Sequence, residues 1–186
     1  MKKSDHYHPL TKFLHWSIVV LVSIQFLTSF VMSGLRRSSS PDFFLNLHMS
    51  FGVFIAPLAL ILLFMRLTHP TDKIKSGPAW QGAAAQAMHY LLYVLLIIIP
   101  ITGDAYASSM GAVVRVFGLF DLPGILPSGS LFGRTLGDVH SFFAWTIGIL
   151  VLGHIAAALY HHFVLNDKVL VRMLPETKAE SDGADI

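Results

Sequence analysis

Four long uncharged stretches, separated by short polar segments, dominate this chain. The first runs from Phe13 to Leu35 and the second from Phe43 to Met65. The third lies within Ser76–Gly103, and the fourth falls between Val139 and Asn166. About 20 apolar residues carry a helix across the hydrocarbon core of a bilayer. The pattern therefore predicts membrane-spanning helices at about 13–35, 43–65, 83–103 and 139–164. Pro57 falls inside the second stretch, where a membrane helix tolerates it with a kink. A basic arm before an apolar run also fits a signal peptide, but this first run is long and lacks an A-x-A-like exit. It opens instead on His15-Trp16, an imidazole beside an interfacial aromatic. The connection 104–137 is apolar at its centre yet too short and broken to span. It is expected to lie along the membrane surface as a short helix or cap. Residues 1–175 then form one integral membrane domain. The polar chain from Asp167 onward is expected to fray, leaving 176–186 as a flexible tail.

Composition agrees with this reading. Of 186 residues, 54% are hydrophobic and 13% charged, with a mean hydropathy of +0.62, whereas a soluble domain carries about 25% charged residues. Cysteine is absent. That excludes disulfides, thiolate zinc sites, iron–sulfur clusters and the C-x-x-C-H attachment of c-type haem.

Lysine and arginine in the loops set the orientation. Four spans put Lys2, Lys3, Lys12, Arg66, Lys73, Lys75, Lys168, Arg172 and Lys178 on one side, against Arg36, Arg37, Arg115 and Arg134 on the other. Both termini are therefore expected in the cytoplasm.

The chemistry of the chain is concentrated in its ten histidines. The fourth stretch carries His140, His154, His161 and His162. From His140 to His154 is 14 residues, about 1400° of rotation and roughly 21 Å of rise, so the two share a helix face at different depths. Topology places His15 at the depth of His154 and His48 at the depth of His140. Two pairs result, His15 with His154 and His48 with His140, each joining two helices. Two axial imidazoles per iron are what an electron-transfer haem requires, and ionisable residues inside spans mark function by default. Zinc or copper transport and a proton relay are the competing uses of such histidines. Both would call for membrane-embedded Asp, Glu or Cys partners, which the spans lack. Gly52, Gly103 and Gly148 are candidates for admitting a flat macrocycle against a helix.

Several fragments then take on a common meaning: L-H-W at 14–16, L-H-M-S-F-G at 47–52, M-H-Y-L-L-Y at 88–93, V-H-S at 139–141, G-H-I-A-A-A-L-Y-H-H-F at 153–163 and L-V-R-M-L-P at 170–175. In order and spacing, the set resembles the bacterial cytochrome b561 family over residues 8–175. It is most similar there to the small stand-alone members of superoxide oxidase type. The resemblance implies an all-α membrane protein, a four-helix bundle enclosing two b haems, with His15, His48, His140 and His154 as axial ligands. It also implies a ubiquinone site at the cytoplasmic side with His89 and His161, and a place in the bacterial inner membrane. The activity implied is electron transfer from an outer one-electron donor, superoxide, through two haems to ubiquinone. A different expectation is a cytochrome b anchor subunit that relays electrons for a partner dehydrogenase or hydrogenase.

Overall fold

The structure of the chain, a computed structural model, describes residues 7–35, 41–69 and 78–174. It contains four long helices: α1 (Pro9–Leu35), α2 (Pro41–Thr68), α3 (Ala79–Ser109) and α4 (Gly133–Phe163). Each is long and apolar enough to cross a membrane. The helices run on past the uncharged stretches. Charge alone does not end a helix; α3 takes in Asp104 and stops where Gly111 turns left-handed, at φ 81°. Pro9 opens α1, a position where its missing N–H removes nothing. Pro57 and Pro100 stand inside α2 and α3.

The helices alternate in direction, and backbones pack closely between α1 and α2, α2 and α3, and α3 and α4. The core follows from spacing. Leu14 and Ile18 on α1, Ile55, Ala59 and Leu62 on α2, and Leu92 and Leu96 on α3 recur three or four residues apart, so each set shares a face. Ala59 is completely buried, and its small side chain lets the neighbouring helices come close. Phe30, Phe64, Phe142, Trp145, Ile149 and Leu152 point outward. In water that apolar exterior would be a liability; against lipid tails it is the expected surface.

The connection between α3 and α4 is not a surface helix. It begins with a hairpin, β1 (Arg115–Val116) and β2 (Phe120–Asp121), paired antiparallel with Arg115 opposite Asp121. Its loop is the three residues 117–119, with Phe117 and Gly118 at the centre of a turn, both at positive φ (49° and 74°), closed by Leu119 N–H donating to the Val116 carbonyl at 2.9 Å. Two left-handed central residues match the right-handed twist of the strands, and glycine supplies the second without strain. The hairpin docks on α2. Ser50, fully buried, accepts from Phe117 N–H at 2.9 Å, Asn46 Nδ2 donates to the Arg115 carbonyl at 3.0 Å, and the Phe117 ring lies 5.0 Å from that of Phe51. The rest of the loop is tied to α3, where the Asp104 carboxylate accepts from Ile125 N–H at 3.2 Å.

Beyond α4 the chain does not fray at once. A single 3-10 turn, Val171–Met173, folds back on the bundle, and Trp16 Nε1 of α1 donates to the Met173 carbonyl at 2.9 Å. Arg172 is buried there over the Tyr7 ring. The expected flexible tail at 176–186 lies outside the described residues.

Candidate functional site

Helix α4 presents histidines to two other helices at two depths. Toward the ends of the bundle that carry Pro9 and Phe163, His154 faces His15 of α1, with ring centres 6.4 Å apart. Toward the opposite end, His140 faces His48 of α2 at 6.3 Å. An imidazole nitrogen binds a metal at about 2 Å, and the ring centre lies roughly 1.1 Å behind it, so two imidazoles on opposite sides of one metal have centres about 6.3 Å apart. Both pairs have that separation. His89 of α3 comes nearer to His154, at 5.1 Å, too short for the two to oppose each other across a metal. Its Nδ1 is also committed to the Ala85 carbonyl one turn back.

The donor set favours a macrocyclic iron over a bare ion. Among the described residues, no three His, Asp or Glu side chains gather to hold a metal. Two imidazoles are an incomplete shell for zinc or copper. They complete the shell of a porphyrin iron, whose other four positions the ring fills. The backbones leave room for such a plate, because α4 packs closely on α3 and reaches α1 and α2 through side chains. The residues therefore fit one haem at each pair.

The His48–His140 end is the more elaborately held. Thr28 Oγ1 lies 2.8 Å from the Ile24 carbonyl and 3.1 Å from His48 Nδ1. A carbonyl only accepts, so the single hydroxyl proton goes to Ile24 and the oxygen accepts from His48 Nδ1–H. His140 Nδ1 lies 3.0 Å from the Ile99 carbonyl and must donate to it. Both rings are thus fixed as Nδ1–H tautomers with the Nε2 lone pair free, the form a metal ligand requires. Gly103 makes this possible on α3: a Cβ there would stand 2.9 Å from His140 Cε1. The glycines suggested for a macrocycle are thus turned to other uses. Gly103 receives the His140 ring, Gly148 the Phe26 ring at 3.0 Å, and Gly52 faces the Gln25 amide at 3.6 Å.

At the other end His161 does not meet His89. Its Nδ1 pairs with Asp167, whose side chain is 9% exposed and whose other oxygen accepts from Val169 N–H at 3.0 Å. Sequence reading missed Thr28 and Asp167. Thr28 had a signal: it stands seven residues before the end of α1, and His48 stands seven after the start of α2, so an antiparallel pair sets them at one depth. Among the four arginines assigned to the outer side, Arg115 is neutralised by Asp121, donating from Nε at 2.7 Å. Arg134 is exposed beside an open hollow of about 440 Å³ lined with Ser128 and Ser130, and Arg36 and Arg37 lie outside the described residues.

A family model described as prokaryotic cytochrome b561 matches residues 6–176. Two Escherichia coli proteins, cytochrome b561 homolog 1 and homolog 2, are 27% and 28% identical to the chain. Those alignments cover 89% and 95% of this chain and 95% of each relative. A Yersinia pestis protein named as a probable superoxide oxidase CybB is 32% identical over 89% of this chain and 93% of its own length.

Proposed function

Because the chain belongs to the prokaryotic cytochrome b561 family, an electron-transfer family of multi-pass membrane cytochromes, we propose that it holds two b haems and passes electrons from superoxide to ubiquinone. The observation that carries this reading is the pair of facing histidine sets, at 6.3 and 6.4 Å, strung along one helix. His48 and His140 hold one haem on the periplasmic side, and His15 and His154 the other on the cytoplasmic side of the inner membrane, with both termini cytoplasmic. Bound there, the haems supply one-electron carriers at two depths of the bilayer.

The residues suit that role in three ways. Each pair would hold its haem through both imidazoles and leave the iron no open position, so the donor would pass its electron without binding the iron. Two superoxide anions release two electrons and leave as two molecules of oxygen, and ubiquinone takes both electrons with two protons to become ubiquinol. Superoxide is the donor favoured by the similarity to a probable superoxide oxidase. The exposed Arg134 supplies a positive charge that draws a small anion to the outer end. On the cytoplasmic side, His89 keeps Nε2 free as a hydrogen-bond acceptor for quinol, since Nδ1 is engaged by Ala85. His161, backed by the Asp167 carboxylate, exchanges protons with the cytoplasm.

The test is haem stoichiometry and reduction of the purified chain. Acid acetone should extract two haems per chain, because no cysteine is present for a thioether link. His15→Ala or His154→Ala should remove one haem, and His48→Ala or His140→Ala the other. Superoxide mixed in stopped flow with the isolated chain should reduce the haems, and added ubiquinone should reoxidise them. Two haems retained in all four variants would overturn the ligand assignment. Reduction that occurs only when a dehydrogenase is added would make the chain an anchor subunit.

A further inference from the structure

We infer that Thr28 and the Ile99 carbonyl set the reduction potential of the haem at the His48–His140 pair below that of the other haem, so that electrons run downhill from the outer end to the inner one. This rests on the ligand reading above and deepens it, because the direction of transfer is then written into the protein's own hydrogen bonds.

Thr28 is a buried hydroxyl inside an apolar helix. Its proton is claimed by backbone acceptors of its own helix, the Ile24 carbonyl at 2.8 Å and the Gln25 carbonyl at 3.0 Å. What the side chain offers across to α2 is therefore a lone pair, and His48 Nδ1 takes it at 3.1 Å. Gln25, three residues earlier, donates from Nε2 to the backbone carbonyl of His48 at 3.0 Å, so both ends of that residue are held from α1. On the other side of the pair, the Ile99 carbonyl accepts from His140 Nδ1 at 3.0 Å. The same carbonyl also accepts from Thr102 Oγ1 at 2.9 Å, so Ile99 is a shared acceptor on α3.

An imidazole whose N–H is held by an oxygen carries more electron density at its other nitrogen and is a stronger ligand. A stronger donor favours the more highly charged, oxidised iron and so lowers the potential. Both rings of the outer pair are held in this way. In the inner pair at least one ring is not: the buried Nδ1 of His15 has no hydrogen-bond partner among the described residues. The asymmetry is therefore in the direction that moves an electron from the His48 end to the His15 end.

A redox titration of the purified holoprotein, followed at the haem absorbance, tests this. Two midpoints are expected. Thr28→Val, which removes the acceptor and keeps the shape, should shift the lower midpoint upward and leave the upper one in place. Thr28→Ser should keep the wild-type value, and Thr28→Cys, whose sulfur is a weak acceptor, should fall between Ser and Val. This graded series decides the matter even where Thr28→Val binds haem poorly. His154→Ala, left with one haem, should titrate at the lower midpoint. Midpoints that ignore the whole Thr28 series, or a His154→Ala protein that titrates at the upper value, would overturn the inference. A failure of the ligand reading looks different, since His48→Ala would then keep both haems.

Discussion

Gly103→Ala adds a single methyl group at the closest approach between α3 and the candidate site. The new Cβ would stand 2.9 Å from Cε1 and 3.0 Å from Nδ1 of His140. Non-bonded carbons rest at about 3.5–4.0 Å, so the ring or the helix must move by roughly half an ångström or more. Gly103 and Ile99 are one turn apart on the same face of α3, so a ring pushed off Gly103 is also pushed off the Ile99 carbonyl, now 3.0 Å away. Overpacking of this kind costs about 1–3 kcal/mol, or about 5- to 150-fold in an equilibrium constant. The helix itself gains up to about 1 kcal/mol from replacing glycine by alanine, so the bundle should stay folded while haem retention at the His48–His140 pair weakens. Haem per chain, measured by pyridine haemochrome after dilution through detergent, should fall from two toward one. Gly34→Ala is the control, because nothing lies within 4 Å of a Cβ there, and it should keep both haems. Full occupancy with an unchanged spectrum in Gly103→Ala would show that His140 does not depend on the room Gly103 leaves.

Four further outcomes follow from the loop and the helix end. Arg115 holds the Asp121 carboxyl below the ordinary carboxylate range by hydrogen bonding. The pair should therefore survive acidification past the usual carboxylate pKa and dissolve only as pH falls through the depressed value; in Arg115→Gln, an NMR titration of Asp121 should show its midpoint raised. Asp121→Asn frees the arginine charge, and reduction by superoxide should become faster and more salt-sensitive, as stopped flow at several ionic strengths would register. Ser50→Ala leaves the Phe117 N–H without its acceptor, at a cost of about 1–3 kcal/mol, and should open the 110–132 loop to limited proteolysis while the helices remain protected. Asp167→Asn removes the carboxylate behind His161 and should slow ubiquinone-driven haem reoxidation about tenfold or more, with both haem spectra intact.

Four helices were readable because each uncharged stretch is long and the spans have no competing pattern. The facing histidines were readable for a related reason: in an up-and-down bundle, distance from a helix end fixes depth, and His15 with His154 and His48 with His140 match in depth. The hairpin was not. Its strands are two residues each, too short for any periodic signal, and its stability comes from Ser50 and Asn46 on a helix more than sixty residues earlier. The uses of Gly103 and Gly148 were hidden likewise, since a glycine in a span does not declare which side chain it admits. The segment 167–174 is too short for a periodic signal, and its order comes from contacts the sequence does not display: the Trp16 indole N–H, the buried Arg172 and the Asp167 carboxylate on His161.

Helix α4 is a ruler. Both candidate sites are graduated along it, 14 residues apart, so their separation is written in covalent bonds and backbone hydrogen bonds and not in the looser contacts between helices. Sliding or tilting α1 or α2 can spoil one site, yet it cannot bring the two sites together or draw them apart along that axis. Electron tunnelling falls off steeply with distance, so the step between the two proposed haems would be insulated from the drift that repacking and sequence change impose on the rest of the bundle. The same construction makes length the one intolerable change. A single residue inserted between His140 and His154 would turn one histidine by about 100° relative to the other, leaving one site whole and its neighbour facing lipid.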